Sequence, residues 1–106
     1  MPKFLVLASY TQEGVKGVLS AGGTSRRDAV ATLAEGLGGR LESFYFAFGE
    51  TDAFVILDLP DNVSAAAASM AVGAAGGATV EVVVLLTPED MDAAAGRSVD
   101  YRAPGS

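Results

Sequence analysis

The spacing of apolar positions changes several times along the first half of the chain, and the changes mark a strand followed by two helices. Residues 3–10, KFLVLASY, form a short β-prone run, and Thr11 then caps a helical segment that reaches about residue 21. A second helix restarts at Thr24, carries apolar residues at a spacing of three and four, and stops at a glycine pair. The glycines at residues 22–23 predict a kink or break between the two helical pieces.

The second half of the chain predicts a hairpin, a helix, a strand and a short last helix. Residues 40–48 and 52–59 read as two strands joined by the tripeptide GET, which fits a tight hairpin. An alanine-rich helix capped by Asp61 and a β-branched strand at residues 78–87 follow. Thr87 with the proline after it starts the last helix. The order β-α-β-β-α-β predicts an α+β, ferredoxin-like fold, a four-stranded antiparallel sheet with helices on one face.

The hairpin holds most of the aromatic residues. Four of the chain's five phenylalanines lie there: Phe44, Phe46, Phe48 and Phe54. We expect a register that places Phe46 opposite Phe54, so that all four phenylalanines point to the face that the helices leave bare. Soluble monomers rarely expose so large an apolar patch. We therefore expect a homodimer in which these phenylalanines form the interface and wall an enclosed space.

The same register places Glu42 opposite Asp58, and like charges directly opposite destabilise a sheet. Three outcomes are open. The two carboxylates splay into water, a base such as Lys3, Arg40 or Arg102 bridges them, or they share a proton in a partly enclosed site. We expect splaying or bridging, because solvent should reach this end of the hairpin easily.

Besides the phenylalanines, four polar residues are candidates for a ligand site. Arg26 and Arg27 follow glycines at a helix start, which suits a carboxylate or phosphate, although the glycines also serve simply to bend the chain. Tyr10 shares strand parity with Phe4, Val6 and Ala8, so its ring could line the same enclosed space as the phenylalanines or merely satisfy its hydroxyl locally. Asp52 follows the glycine turn, where we expect it to accept backbone N–H bonds rather than to react.

Composition narrows the function classes. The 106 residues suit one domain, which we place at residues 1–96 with a tail at 97–106 that either folds back through Tyr101 or stays disordered. Seven basic and thirteen acidic residues give a net charge of −6. A negative protein repels phosphate backbones and anionic lipid, so we expect neither nucleic acid nor membranes as partners.

Without histidine or cysteine we expect no transition metal and no cofactor. Glu42, Asp52 and Asp58 could supply oxygen ligands for magnesium or calcium, but no metal-loop spacing supports such a site, so we expect none. The short apolar run near the start predicts no signal peptide, so a cytoplasmic location is expected.

Several segments together resemble the GYD domain family of small bacterial proteins: KFLVLASYTQEGVKG, GGTSRRDAV, LGGRLESFYFAFGETDAFVILDLPDN and VVVLLTPEDMDAA. Gly49 and Asp52 match the family pattern, whereas Thr51 stands where the family has a tyrosine. The resemblance implies a dimeric α+β barrel and does not imply a particular activity.

Three function classes remain, in this order of preference: a small-molecule-binding dimer, a cofactor-independent enzyme of the oxygenase or isomerase type, and a structural or assembly protein. Aromatic walls with one or two polar groups are sufficient for binding. A closed pocket lined by Tyr10 and Asp52 or Asp58 would favour the enzyme class, and a barrel filled by side chains would favour the structural class.

Overall fold

The computed structural model describes residues 1–105, and the order of its elements matches the sequence prediction. The elements are β1 (Lys3–Tyr10), α1 (Gln12–Ala21), α2 (Gly23–Gly36), β2 (Arg40–Phe46), β3 (Ala53–Asp58), α3 (Asn62–Ala75), β4 (Ala78–Leu85) and α4 (Pro88–Ala95). The strands form one antiparallel sheet in the order β2-β3-β1-β4. The predicted α+β, ferredoxin-like fold is therefore confirmed.

Side-chain caps start three of the helices where the sequence predicts them. Thr11, Asp61 and Thr87 each accept a hydrogen bond from the backbone N–H three residues further along. Such caps satisfy N–H groups that the first helical turn leaves without a partner. Between α1 and α2, Gly22 adopts a φ of 88°, a conformation that favours glycine. The predicted break between the two helices is confirmed.

The register of β2 against β3 differs from the predicted one. Tyr45 lies opposite Phe54, and Phe46 lies opposite Ala53. A β-bulge between Leu41 and Ser43 shifts the pairing once more. Because side chains alternate between the faces of a sheet, a slip of one residue exchanges the faces of a whole strand. The predicted pairing of Phe46 with Phe54 was therefore wrong.

In this register most of the predicted phenylalanines do not lie on the side of the sheet that the helices leave uncovered. Phe44 and Phe46 turn to the helix-covered side, where Phe44 packs against the core and the Phe46 ring lies beside Gly23 of α2. Phe48 lies in the loop at residues 47–52, and its side chain is fully exposed. Of the four predicted phenylalanines, Phe54 alone lies on the bare sheet face.

The six-residue loop replaces the predicted three-residue turn because Asp52 pairs with β1 as well as with its own hairpin. The Asp52 N–H donates to the Ala8 carbonyl at 2.8 Å, and the Asp52 carbonyl accepts from the Ala47 N–H at 2.8 Å. Contacts from a strand distant in sequence thus decide where the hairpin closes.

The core lies between the sheet and the helices. Phe4 and Leu59 are the largest fully buried side chains, and Ala8, Val55 and Leu57 surround them. The opposite side of the sheet, here called the bare face, has no helix of residues 1–105 over it. Its central positions are mostly apolar, with Ser43 and Glu81 as the polar members: Leu5, Leu7, Ser43, Tyr45, Phe54, Ile56, Glu81 and Val83. Tyr45 is 71% exposed and Phe54 is 41% exposed.

The C-terminal part extends from this body. Every described residue from Leu86 onward is exposed, including α4 and Tyr101. The Cα radius of gyration is 16.8 Å, whereas a compact chain of this length has one of about 13 Å. Within the described residues, no helix is long and apolar enough to cross a membrane.

Candidate functional site

An apolar cavity of about 80 Å³ lies between the helix-covered side of the sheet and helices α2 and α3. Strand side chains such as Phe4, Val6 and Phe44 form its floor, and Leu33 of α2 forms part of one wall. The α3 wall consists of two alanines, one serine and one valine: Ala65, Ala68, Ser69 and Val72. Alanine side chains are too short to fill the space between a helix and a sheet, so the alanine-rich sequence of α3 leaves room there.

A groove of about 430 Å³ runs between α1, α2 and α3 next to this cavity. Five residues line both spaces: Tyr10, Arg26, Ala29, Leu33 and Val72. The cavity and the groove therefore adjoin, and in the following paragraphs the two together are called the cleft.

Tyr10 and Arg26 are the largest polar side chains in the cleft. The Arg26 guanidinium carbon lies 5.9 Å from the centroid of the Tyr10 ring, which is a cation–π contact. The Tyr10 ring lies 6.3 Å from the Phe46 ring, and Phe46 contacts Phe44 edge to face at 5.0 Å. These contacts hold the arginine against an aromatic wall at the junction of cavity and groove.

Asp52 positions Tyr10 through the backbone. Its Oδ2 accepts the Tyr10 N–H at 2.8 Å at the end of β1. The expectation that Asp52 accepts backbone N–H bonds is confirmed, although the donor belongs to β1 rather than to the hairpin. The Asp52 side chain does not line the cleft.

The remaining predicted site residues lie elsewhere. Arg27 pairs with Asp28 at 3.3 Å on the exposed side of α2, Phe48 lies in the loop, and Phe54 lies on the bare face. The structure thus brings together Tyr10, Arg26, Phe44 and Phe46. The sequence prediction did not include α3 or Leu33 among the residues of the site. The run of alanines in α3 indicated a helix with short side chains, and this was the available evidence for a space beside it.

A cluster of four charged residues, here called the ion cluster, lies at the ends of β1, β2 and β3 that are distant from the loop at residues 47–52. Lys3 Nζ lies 2.6 Å from a Glu42 carboxylate oxygen and 2.8 Å from one of Asp58. Arg40 Nε lies 2.8 Å from the other Asp58 oxygen. The expectation that a base bridges the two carboxylates is confirmed. The predicted placement of Glu42 opposite Asp58 was wrong, because Arg40 lies there and Glu42 is the extra residue of the bulge.

Asp58 is 4% exposed, so the expectation of easy solvent access was wrong for this carboxylate. The hydrogen bond from Lys3 lowers the pKa of Asp58, and burial opposes that effect. The same contact, followed by the bond to Glu42, raises the pKa of Lys3. Both pKa shifts favour the charged forms of Lys3 and Asp58, as in an ion pair that stabilises the fold. Residues 1–105 contain no group of three or more acidic, histidine or cysteine side chains that could hold a metal ion.

Comparison with known proteins adds one match. The family model described as GYD domain matches residues 4–95. This span contains all of the sheet except Lys3, together with α1 to α4 and every residue that lines the cleft. No curated protein and no solved structure matches the chain significantly.

Proposed function

The chain belongs to the GYD domain family, and from the geometry of its cleft we propose that it is a small-molecule-binding protein. One observation carries the proposal: an apolar cavity inside the core adjoins a groove between the helices, and Tyr10 and Arg26 line both. Small-molecule sites are typically apolar and concave, with a few polar groups that orient the ligand. Tyr10 and Arg26 supply such groups where the cavity meets the groove.

The polar lining favours binding over catalysis. It consists of a phenol, a guanidinium and the hydroxyls of Ser25 and Ser69. Neither Asp52 nor Asp58 lines the cleft, so the grouping of Tyr10 with a carboxylate in one closed pocket, which would favour an enzyme, is not formed. Binding a ligand needs no such pair.

The proposal is tested by filling the cavity from α3. Ala68 is buried and lines the cavity, whereas Ala66 on the same helix is exposed. We expect the wild-type protein to take up the neutral dye Nile red with a rise in fluorescence. Ala68→Leu should abolish that rise, because its larger side chain occupies the space, and the control Ala66→Leu should preserve it.

Native mass spectrometry of the purified wild-type protein would look for a retained small molecule. Equal dye binding by the two α3 variants would contradict the proposal, since the dye would then bind outside the cavity. Circular dichroism of both variants checks that each one is folded.

We further propose that the protein is a homodimer through the bare face. Six apolar or aromatic residues occupy the centre of that face together with Ser43 and Glu81, and contiguous exposed patches that are mostly apolar usually mark an interface. A second copy fits because a two-fold axis pairs each patch with itself. The proposed interface contains Phe54, and it differs from the predicted one because Phe44 and Phe46 face the helices.

Light scattering at micromolar concentration tests the dimer. Phe54→Glu places a charge in the centre of the face and is expected to yield monomers. Leu19→Glu is the control, because Leu19 is an exposed apolar residue of α1 on the other side of the protein. A monomeric wild-type protein, or a dimer that survives Phe54→Glu, would refute this arrangement.

A further inference from the structure

We propose, resting on the binding function proposed above, that the ligand of the cleft is an apolar monocarboxylate whose carboxylate binds Arg26. The charges of the lining carry this inference. The chain has thirteen acidic and seven basic residues, yet among the described residues Arg26 is the single charged residue that lines the cavity or the groove. An isolated cation in the apolar cleft of an acidic protein selects for an anion.

The two adjacent arginines differ in a way that supports this role. Arg27 is exposed and already pairs with Asp28. Arg26 is half-buried against the Tyr10 ring, and within residues 1–105 it forms no ion pair. A guanidinium presents a planar fork of donors that matches a carboxylate, and a partly dehydrated site strengthens the charged hydrogen bonds.

The surroundings of Arg26 define the chemical class. The cavity beyond it is lined by aliphatic and aromatic side chains, so the body of the ligand must be apolar. A phosphate dianion would need further cationic donors, and the described lining contains no lysine and no second arginine. One negative charge attached to an apolar chain or ring satisfies both conditions. The carboxylate then lies at the junction, and the apolar body occupies the cavity and extends along the adjoining groove.

The test compares three eight-carbon probes that differ in the head group: octanoate, 1-octanol and octylamine. Displacement of Nile red from the wild-type protein at neutral pH measures their affinities. We expect octanoate to bind most tightly, 1-octanol more weakly and octylamine most weakly. This series needs no variant, so it stays decisive even if a substitution impairs folding.

Variants then assign the effect to Arg26. Arg26→Met is expected to weaken octanoate binding roughly 10- to 100-fold, the loss of a charge-assisted hydrogen bond, and to leave 1-octanol unaffected. Arg26→Lys keeps the charge and should retain part of the octanoate affinity. Arg27→Met is the matched control and should bind octanoate like the wild type.

The outcomes separate the two proposals. If 1-octanol displaces the dye as well as octanoate does, or if Arg26→Met and Arg27→Met bind octanoate equally, the carboxylate inference is overturned and the binding function stands. If the wild-type protein takes up no dye and native mass spectrometry detects none of the three probes bound to it, the binding function fails and the inference fails with it.

Discussion

Asp58 allows a quantitative test of the ion cluster, because its buried carboxylate joins two cations. Its side chain is 5% exposed, with Lys3 Nζ 2.8 Å from one oxygen and Arg40 Nε 2.8 Å from the other. Asp58→Asn keeps the shape of the side chain and removes its charge. We expect this change to destabilise the fold more than Glu42→Gln, the matched change at the second carboxylate that contacts Lys3.

The expected magnitude follows from the exposure of each partner. Exposed ion pairs contribute about 0.2 to 1 kcal/mol, whereas removing one member of a buried pair costs about 3 to 5 kcal/mol. Asp58 falls between these limits, because Lys3 is 36% exposed and Arg40 is 64% exposed. Asp58→Asn should therefore lower the free energy of unfolding by about 2 kcal/mol. Glu42 is 32% exposed, so Glu42→Gln should cost about 0.5 kcal/mol.

Urea unfolding near neutral pH, at one fixed protein concentration, measures the difference. With a slope of about 1.5 kcal/mol/M, the midpoint should fall by about 1.3 M for Asp58→Asn and by about 0.3 M for Glu42→Gln. Equal shifts for the two variants would refute the argument that burial makes Asp58 the dominant member of the cluster.

The pH dependence provides a second check on the same residue. The Lys3 hydrogen bond lowers the pKa of Asp58 below its ordinary value of 3.8. A carboxyl group whose pKa is lower in the folded state stabilises the protein above its unfolded pKa, and this contribution is lost as the pH falls through the folded value. The stability gap between wild type and Asp58→Asn should stay constant from about pH 8 to about pH 5 and close below pH 3.8. A gap that persists at low pH would contradict the electrostatic origin.

Two further predictions concern packing and hydrogen bonding. Asp52→Ala removes the acceptor for the Tyr10 N–H and should lower the free energy of unfolding by about 1 to 2 kcal/mol. Asp52→Asn keeps an acceptor oxygen and should cost less. An unchanged melting temperature for Asp52→Ala would contradict this role. Gly14→Ala should strongly destabilise the fold because its Cβ would overlap the Gly77 carbonyl oxygen, whereas Gly17→Ala in the same helix meets nothing within 4 Å and should be neutral or stabilising by up to about 1 kcal/mol. Similar melting temperatures for the two glycine variants would show that α1 does not pack closely on Gly77.

Much of the fold could be predicted from the sequence because its signals are local. Caps at Thr11, Asp61 and Thr87, the break at Gly22 and the order of strands and helices depend on neighbouring residues, and all are confirmed. The parity of Tyr10 with the buried residues of β1 also holds, because side chains alternate along a strand without regard to its partners.

The tertiary structure alone decided which faces the phenylalanines occupy and where the cleft lies. Register depends on pairing between distant strands, and here a bulge at Glu42 and the bonds between Asp52 and β1 turned Phe44 and Phe46 toward the helices. The cleft depends on the distance between α2 and α3 and on the short side chains between them, which no local pattern specifies. The amino-acid composition by itself fixed the net charge of −6 and the absence of histidine and cysteine side chains. Folding then placed one arginine of an adjacent pair at the cleft and the other on the surface, because successive helical residues point in different directions.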